Sequence, residues 1–130
     1  MLEDKYWYAY EKFSRAIYTL ATGEGEVRSR LHDVFFDPLL VIEPKHLPED
    51  LRGDFVWIKK SITKYKERWG GQLEELRGWE KEDPMFKEKF LNLYPNQIEA
   101  TLSRIRRSTG VKIAERIFKI YESLDSRVRD

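Results

Sequence analysis

A chain of 130 residues, 41% hydrophobic and 14% aromatic, is long enough to bury a core as one domain and too rich in rings to stay disordered. Its formal net charge of +1 provides no bulk field toward nucleic acid or an anionic membrane. With no cysteine, disulfides and thiolate chemistry are excluded, and a zinc site is disfavoured.

The first ten residues, MLEDKYWYAY, are acidic and aromatic, unlike a signal peptide. From Leu2 to Ala21 the spacing predicts an amphipathic helix, with Tyr6, Tyr10, Phe13, Ile17 and Leu20 on one face. Ala9 and Ala16 flank that stripe and would let a second helix approach closely. Trp7 and Tyr18 fall about 20° apart on a flank, while Tyr8 and Arg15 lie opposite the core stripe. Thr22-Gly23-Glu24-Gly25 should end the helix through a left-handed glycine.

A second helix follows, with Val27, Leu31, Val34 and Phe35 as its stripe and Glu24 and Glu26 at its positive end. Pro38 should break it near Phe36–Asp37. Leu39, Leu40 and Ile42 are expected to resume one helical turn before Pro44. The apolar run from Val34 to Ile42, interrupted by Asp37 and Pro38, is the longest in the chain and well short of the roughly 20 residues a membrane helix needs. Residues 20 to 51 form the pivot of the chain, where three helices must meet.

Pro48-Glu49-Asp50 reads as a helix entry. Leu51, Phe55, Ile58, Ile62, Tyr65 and Trp69 recur every three or four residues, which predicts a third helix to about Lys66, weakened by Gly53 and stopped at Gly70-Gly71. Short helices are expected around Leu73–Trp79 and from Asp83-Pro84 to Tyr94, broken by Pro95-Asn96. Ile98, Leu102 and Ile105 mark another helix ending in Arg106-Arg107. Ser108 is then the expected cap of the last helix, which runs from Thr109 with Ile113, Ile117, Ile120 and Leu124 on one face and Ala114, Phe118 and Tyr121 beside them. Glu115 and Lys119 form a candidate i,i+4 pair, and the tail from Arg127 to Asp130 should fray. No period-two run of β-branched residues predicts a strand. The expected fold is therefore all-α: one domain over 1–130, an up-and-down bundle of five or more helices with a helical insertion at about 64–96.

The runs LATGEGEVRSRLHD, HLPEDLRGDFVWIKKSIT, ATLSRIRR and IAERIFKIYESL resemble a group of small all-helical bacterial proteins without known activity. The resemblance covers both ends of the chain and leaves 64–96 as an insertion. It implies helices only and a bacterial setting, and it carries over no functional residue, cofactor or partner.

Arg28 and His32 stand one helical turn apart, a pairing of types that ribonucleases of the HEPN kind use for phosphate stabilisation and acid–base work. The spacing here is shorter than theirs, and the bland reading is two surface side chains. Metal ligation would fall to His32-Asp33 or to His46 with Glu49 and Asp50, yet no E-x-x-H or H-E-x-x-H pair falls on a predicted helix. No metal or cofactor is expected. Arg104, Arg106, Arg107, Lys112, Arg116 and Lys119 could form a phosphate-binding stripe on the C-terminal helices, against a bland reading in which Glu99, Glu115 and Glu122 offset a solvated face. The aromatic surplus carries more weight. Trp7, Tyr8, Trp69 and Trp79 are the candidate partner-binding residues, because large rings bury area at little entropic cost. The leading expectation is a non-catalytic, cytoplasmic interaction or homodimerising protein. The alternatives are nucleic-acid binding through the basic face and a HEPN-like ribonuclease.

Overall fold

The computed structural model of the chain describes residues 2–65 and 94–130. Among them are five α-helices and no strand: α1 (Trp7–Thr22), α2 (Val27–Phe36), α3 (Glu49–Ile62), α4 (Tyr94–Arg104) and α5 (Arg107–Arg129), with 3-10 turns at Asp4–Tyr6 and Pro44–His46. The all-α expectation is met. The short helices expected between Leu73 and Leu93, the Gly70-Gly71 stop, Trp69 and Trp79 lie outside the described residues.

Helix α5 is the axis, touching α1, α2 and α3, while α2 also packs on α1 and α4. It runs antiparallel to α1, since Tyr10 near the start of α1 meets Tyr121 and Asp125 near the end of α5. It is antiparallel to α3 as well, with Asp50 paired to Arg127 and Asp54 to Arg116. Phe13, Leu31, Phe55, Ile58, Ile113, Ile117 and Ile120 are fully buried in one continuous core. The spacings of three and four residues put them there, and Ala9 and Ala16 are buried as expected at a close approach. No described helix is long and apolar enough to cross a membrane.

The ends of the elements depart from the sequence expectations, each time because a partner distant in sequence decides them. Leu2 is buried, but the first α-helix begins only at Trp7, after the 3-10 turn. Gly23 is extended at φ −64°, and Gly25 carries the positive φ of 82°. What Gly23 supplies is space, because a Cβ there would come within 2.6 Å of the Thr19 carbonyl oxygen. Arg30 closes this corner by donating to the Leu20 and Gly25 carbonyls, both at 3.0 Å. Residues 37–41 form hydrogen-bonded turns instead of a resumed helix, which lets Leu39 and Ile42 enter the core. Pro48 caps α3 from outside the helix, and Glu49 and Asp50 fill its first turn. Helix α3 stops at Ile62, short of Lys66, where the buried Thr101 hydroxyl accepts the Tyr65 backbone N–H at 3.0 Å. Pro95 lies in the first turn of α4, where its missing donor costs nothing. Arg106 takes the N-cap position of α5 expected of Ser108. Arg28 holds the preceding Ile105 carbonyl at 3.0 Å. The tail stays helical through Arg129, secured by the Arg127–Asp50 and Arg129–Asp125 pairs. Lys119 lies 3.6 Å from Asp54, a partner on another helix, in place of the i,i+4 contact with Glu115.

Candidate interaction surface

Helical phase divides the visible side of α5 into two flanks. Tyr121, Ala114, Phe118 and Val111 follow one another round the helix toward α1. Lys119, Lys112, Arg116 and Arg127 do so toward α3. The same phase on α1 sets Tyr10, Ile17, Trp7 and Tyr18 on the side nearer α5.

These phases meet in a ladder of rings. Trp7 stands edge-on to Tyr10 at 5.5 Å, Tyr10 stacks on Tyr121 at 6.1 Å with only 7° between planes, and Tyr121 meets Phe118 at 6.4 Å. Edge-on and offset-stacked pairs at such separations are favourable beyond the area they bury. The Tyr10 hydroxyl donates to Asp125 Oδ1 at 2.8 Å, and this bond pushes the phenol pKa above its ordinary value, with burial adding to the shift. The middle of the ladder is packed against the core, but its ends stand in water: Trp7 is 43% exposed and Phe118 48%. Tyr18, 70% exposed, and Val111 extend the apolar surface toward the other end of the helix pair.

Of the four aromatic candidates from the sequence, Trp7 belongs to this face. Tyr8 is similarly exposed but sits on the opposite flank of α1, edge-on to His46 at 5.3 Å and under the Lys12 ammonium at 5.6 Å. Trp69 and Trp79 lie outside the described residues. Tyr10, Tyr18, Phe118 and Tyr121 were not singled out as candidates. The phase shared by Trp7 and Tyr18 was the available signal for α1. For Phe118 it is its place beside the Ile113–Leu124 stripe.

The six basic candidates do not form one stripe. Lys112, Arg116 and Lys119 share a ridge, whereas Arg107 lies about 180° round the helix from Arg116. Arg106 is the N-cap residue. The Arg104 guanidinium lies over the Tyr65 ring at 5.6 Å from its centroid. On the ridge, Arg116 donates to Asp54 at 2.9 Å and also covers the Trp57 indole at 4.5 Å.

Arg28 and His32 are engaged separately. Arg28 donates to Glu26 and to the Ile105 carbonyl, tying α2 to the α4–α5 corner. His32 lies in a groove of about 290 Å³ with Arg15, Thr19, Asp33, Phe36, Asp37 and Pro38, a groove to which Arg28 does not contribute. Its ring stacks on Phe36 at 5.0 Å, with Nε2 3.0 Å from Glu99 and Nδ1 3.5 Å from Asp33. Both ring nitrogens thus face carboxylates, and Arg15 is paired with Asp37 at 3.3 Å. His46 Nδ1 accepts the Glu43 backbone N–H at 2.9 Å, a turn-closing role. Among the described residues no three His, Cys, Asp or Glu side chains gather in a metal-holding arrangement.

Neither a family model, nor a curated protein, nor a solved structure matches this chain.

Proposed function

We propose that the protein is a non-catalytic module that pairs with a second copy of itself through the α1–α5 face, in the bacterial setting to which the sequence resemblance points. The observation that carries this reading is the ring ladder, whose two ends are left in water. Rings gain nothing from water that another apolar surface would not better supply, and contiguous exposed apolar area is a mark of association surfaces.

The size fits a dimer. Helix α1 has 16 residues, so the α1–α5 pair offers a footprint of roughly 24 by 20 Å, about 480 Å² on each copy, which is at the low end of interface sizes and suits a dimer that dissociates on dilution. The charges fit as well. The solvent edge carries Glu11 and Glu122 together with Arg107 and Arg129, all exposed, so two copies meet with both signs available and no bulk repulsion. Two antiparallel helix pairs packed face to face make a four-helix bundle, a closed two-fold solution that hides the rings.

Light scattering and sedimentation across a hundredfold dilution test it. Dimer at high concentration, dissociation on dilution, and loss of the dimer in Phe118→Glu but not in Lys60→Glu are the expected results. A strict monomer at every concentration sinks the proposal, as does a dimer that tolerates Phe118→Glu.

A further inference from the structure

The α3–α5 seam holds a second constellation, independent of the aromatic face. A notch of about 310 Å³ opens between the two helices, lined by Trp57, Lys112, Glu115, Arg116 and Lys119. That volume is at the small end of the range for sites that hold small molecules. We infer that this notch binds a nucleotide, a planar base carrying a phosphate, either free or as one residue of a single strand.

The argument starts from Arg116. Its guanidinium is held at two points, over the Trp57 indole at 4.5 Å and by a 2.9 Å hydrogen bond to Asp54. Asp54 is itself only 19% exposed and has its other oxygen 3.6 Å from Lys119 Nζ. A guanidinium fixed in this way loses little entropy when a ligand stacks on it, and bases stack on arginine planes as they do on aromatic rings. Asp54 occupies one of its five N–H donors, so others remain for a phosphate oxygen.

Lys112 and Lys119 stand one turn before and one turn after Arg116 on the same ridge, about 6 Å and 4.5 Å along the axis. A phosphate attached to a base lying over Arg116 therefore comes within reach of an ammonium on either side. Glu115 is the discriminating group. It opposes a simple polyanion, yet it accepts hydrogen bonds from the amino group of a base or the hydroxyls of a sugar. Cations, a flat cation platform and one acceptor together describe a nucleotide better than inorganic phosphate, a carboxylate or an uncharged ring.

Calorimetric titration with adenosine monophosphate, inorganic phosphate and a single-stranded decanucleotide tests this at low salt, about 50 mM. The informative variant is Arg116→Lys, which keeps the charge and the pairing with Asp54 but removes the plane. The expected result is nucleotide binding weakened about tenfold or more in Arg116→Lys, with the residual affinity for inorganic phosphate unchanged. Lys112→Gln should weaken both and, if the decanucleotide binds, lower its salt slope by about 1. Tighter binding of the decanucleotide identifies a strand as the source, and equal binding per site identifies the free nucleotide. Absence of heat with all three ligands up to millimolar concentration overturns the inference. So does inorganic phosphate competing as well as adenosine monophosphate, with Arg116→Lys indistinguishable from the parent. Thermal melts of the variants separate lost binding from lost folding.

Discussion

Helix α5 meets α1 along one flank and α3 along the other, and the two seams close by different chemistry. Toward α3, Asp50 holds Arg127 and Asp54 holds Arg116 and Lys119, so both of these acids find a cation within the chain. Toward α1, the contact is a run of rings with one hydrogen bond, Tyr10 to Asp125. Charged side chains left at a seam are satisfied by water or by a dissolved ion, at little net cost. Rings left at a seam are not. On the ionic flank Asp50, Asp54 and their cations are thus paired within one copy, while the aromatic flank leaves Trp7 and Phe118 about half exposed, where the proposed pairing would cover them.

The harshest way to break this comparison is to remove what both flanks rest on. Ile117 is fully buried between them, and Ile117→Ala should cost about 2–5 kcal/mol by loss of transfer energy plus a cavity. Urea unfolding at low protein concentration measures it. A loss under about 1 kcal/mol would mean the two seams do not share one core.

The flanks should next separate in their response to pH. Tyr10 has a pKa raised first by its bond to Asp125 and then by burial, so folding favours the neutral phenol. Its contribution is full below the ordinary tyrosine value of 10.0 and lost as pH rises through the higher folded value. Asp50 has a pKa lowered by its hydrogen bond to Arg127, against a smaller opposing effect of burial. Its contribution is full above the ordinary value of 3.8 and lost as pH falls through the lower folded value. Tyr10→Phe should cost about 1–2 kcal/mol at pH 7, shrinking above pH 10, in line with a hydrogen bond to a charged acceptor. Asp50→Asn should cost only about 0.5 kcal/mol, vanishing in acid, because the pair is well exposed. Unfolding curves at several pH values check both, and a Tyr10→Phe deficit that grows with alkalinity would contradict the assignment.

Concentration gives a finer separation. Phe118→Ser and Asp54→Ala should each cost about 1 kcal/mol in dilute protein, one by losing half-buried apolar area and the other by freeing two cations. On the proposed pairing, the deficit of Phe118→Ser should grow as concentration rises, because the parent would gain stability from it and the variant would not. The deficit of Asp54→Ala should stay constant. Parallel behaviour of the two variants in melts over a hundredfold range of concentration would remove the distinction between the flanks.

The residues that built the core were legible in the sequence because helical phase is a local property. Phe13, Leu31, Ile58 and Ile117 needed only their spacing. Phase alone does not say which neighbour covers a flank. Trp7 and Tyr18 could be seen to share a side of α1, but their exposure depends on how far α5 extends over them. Phe118 likewise lies beside the Ile113–Leu124 stripe by phase, and its 48% exposure depends on how far α1 covers it. Lys119 shows the limit most plainly, since Glu115 is its neighbour by sequence and Asp54, on another helix, is its partner in space. Helix ends differ from the sequence expectation where a distant group sets them, as Arg28 does at Ile105 and Thr101 at Tyr65.

The smallest effects test the backbone beside each packing surface. Gly53 borders the ionic flank on α3, and a Cβ built there would meet nothing within 4 Å. Gly53→Ala should therefore stabilise the fold by about 0.5–1 kcal/mol, through helix propensity and a less free unfolded chain. Gly110 lies on α5 where it crosses α2, and a Cβ there would stand 3.2 Å from both Arg28 Cγ and Val27 Cγ1 and 3.6 Å from Leu31 Cδ1. Arg28 has no freedom to yield, since its guanidinium already holds Glu26 and the Ile105 carbonyl. The same gain in propensity is then outweighed by overpacking, and Gly110→Ala should lose about 1 kcal/mol net. Opposite shifts in melting temperature for the two alanine variants are the expected outcome. A rise in both would mean that α2 and α5 stand further apart than the contacts of Gly110 require.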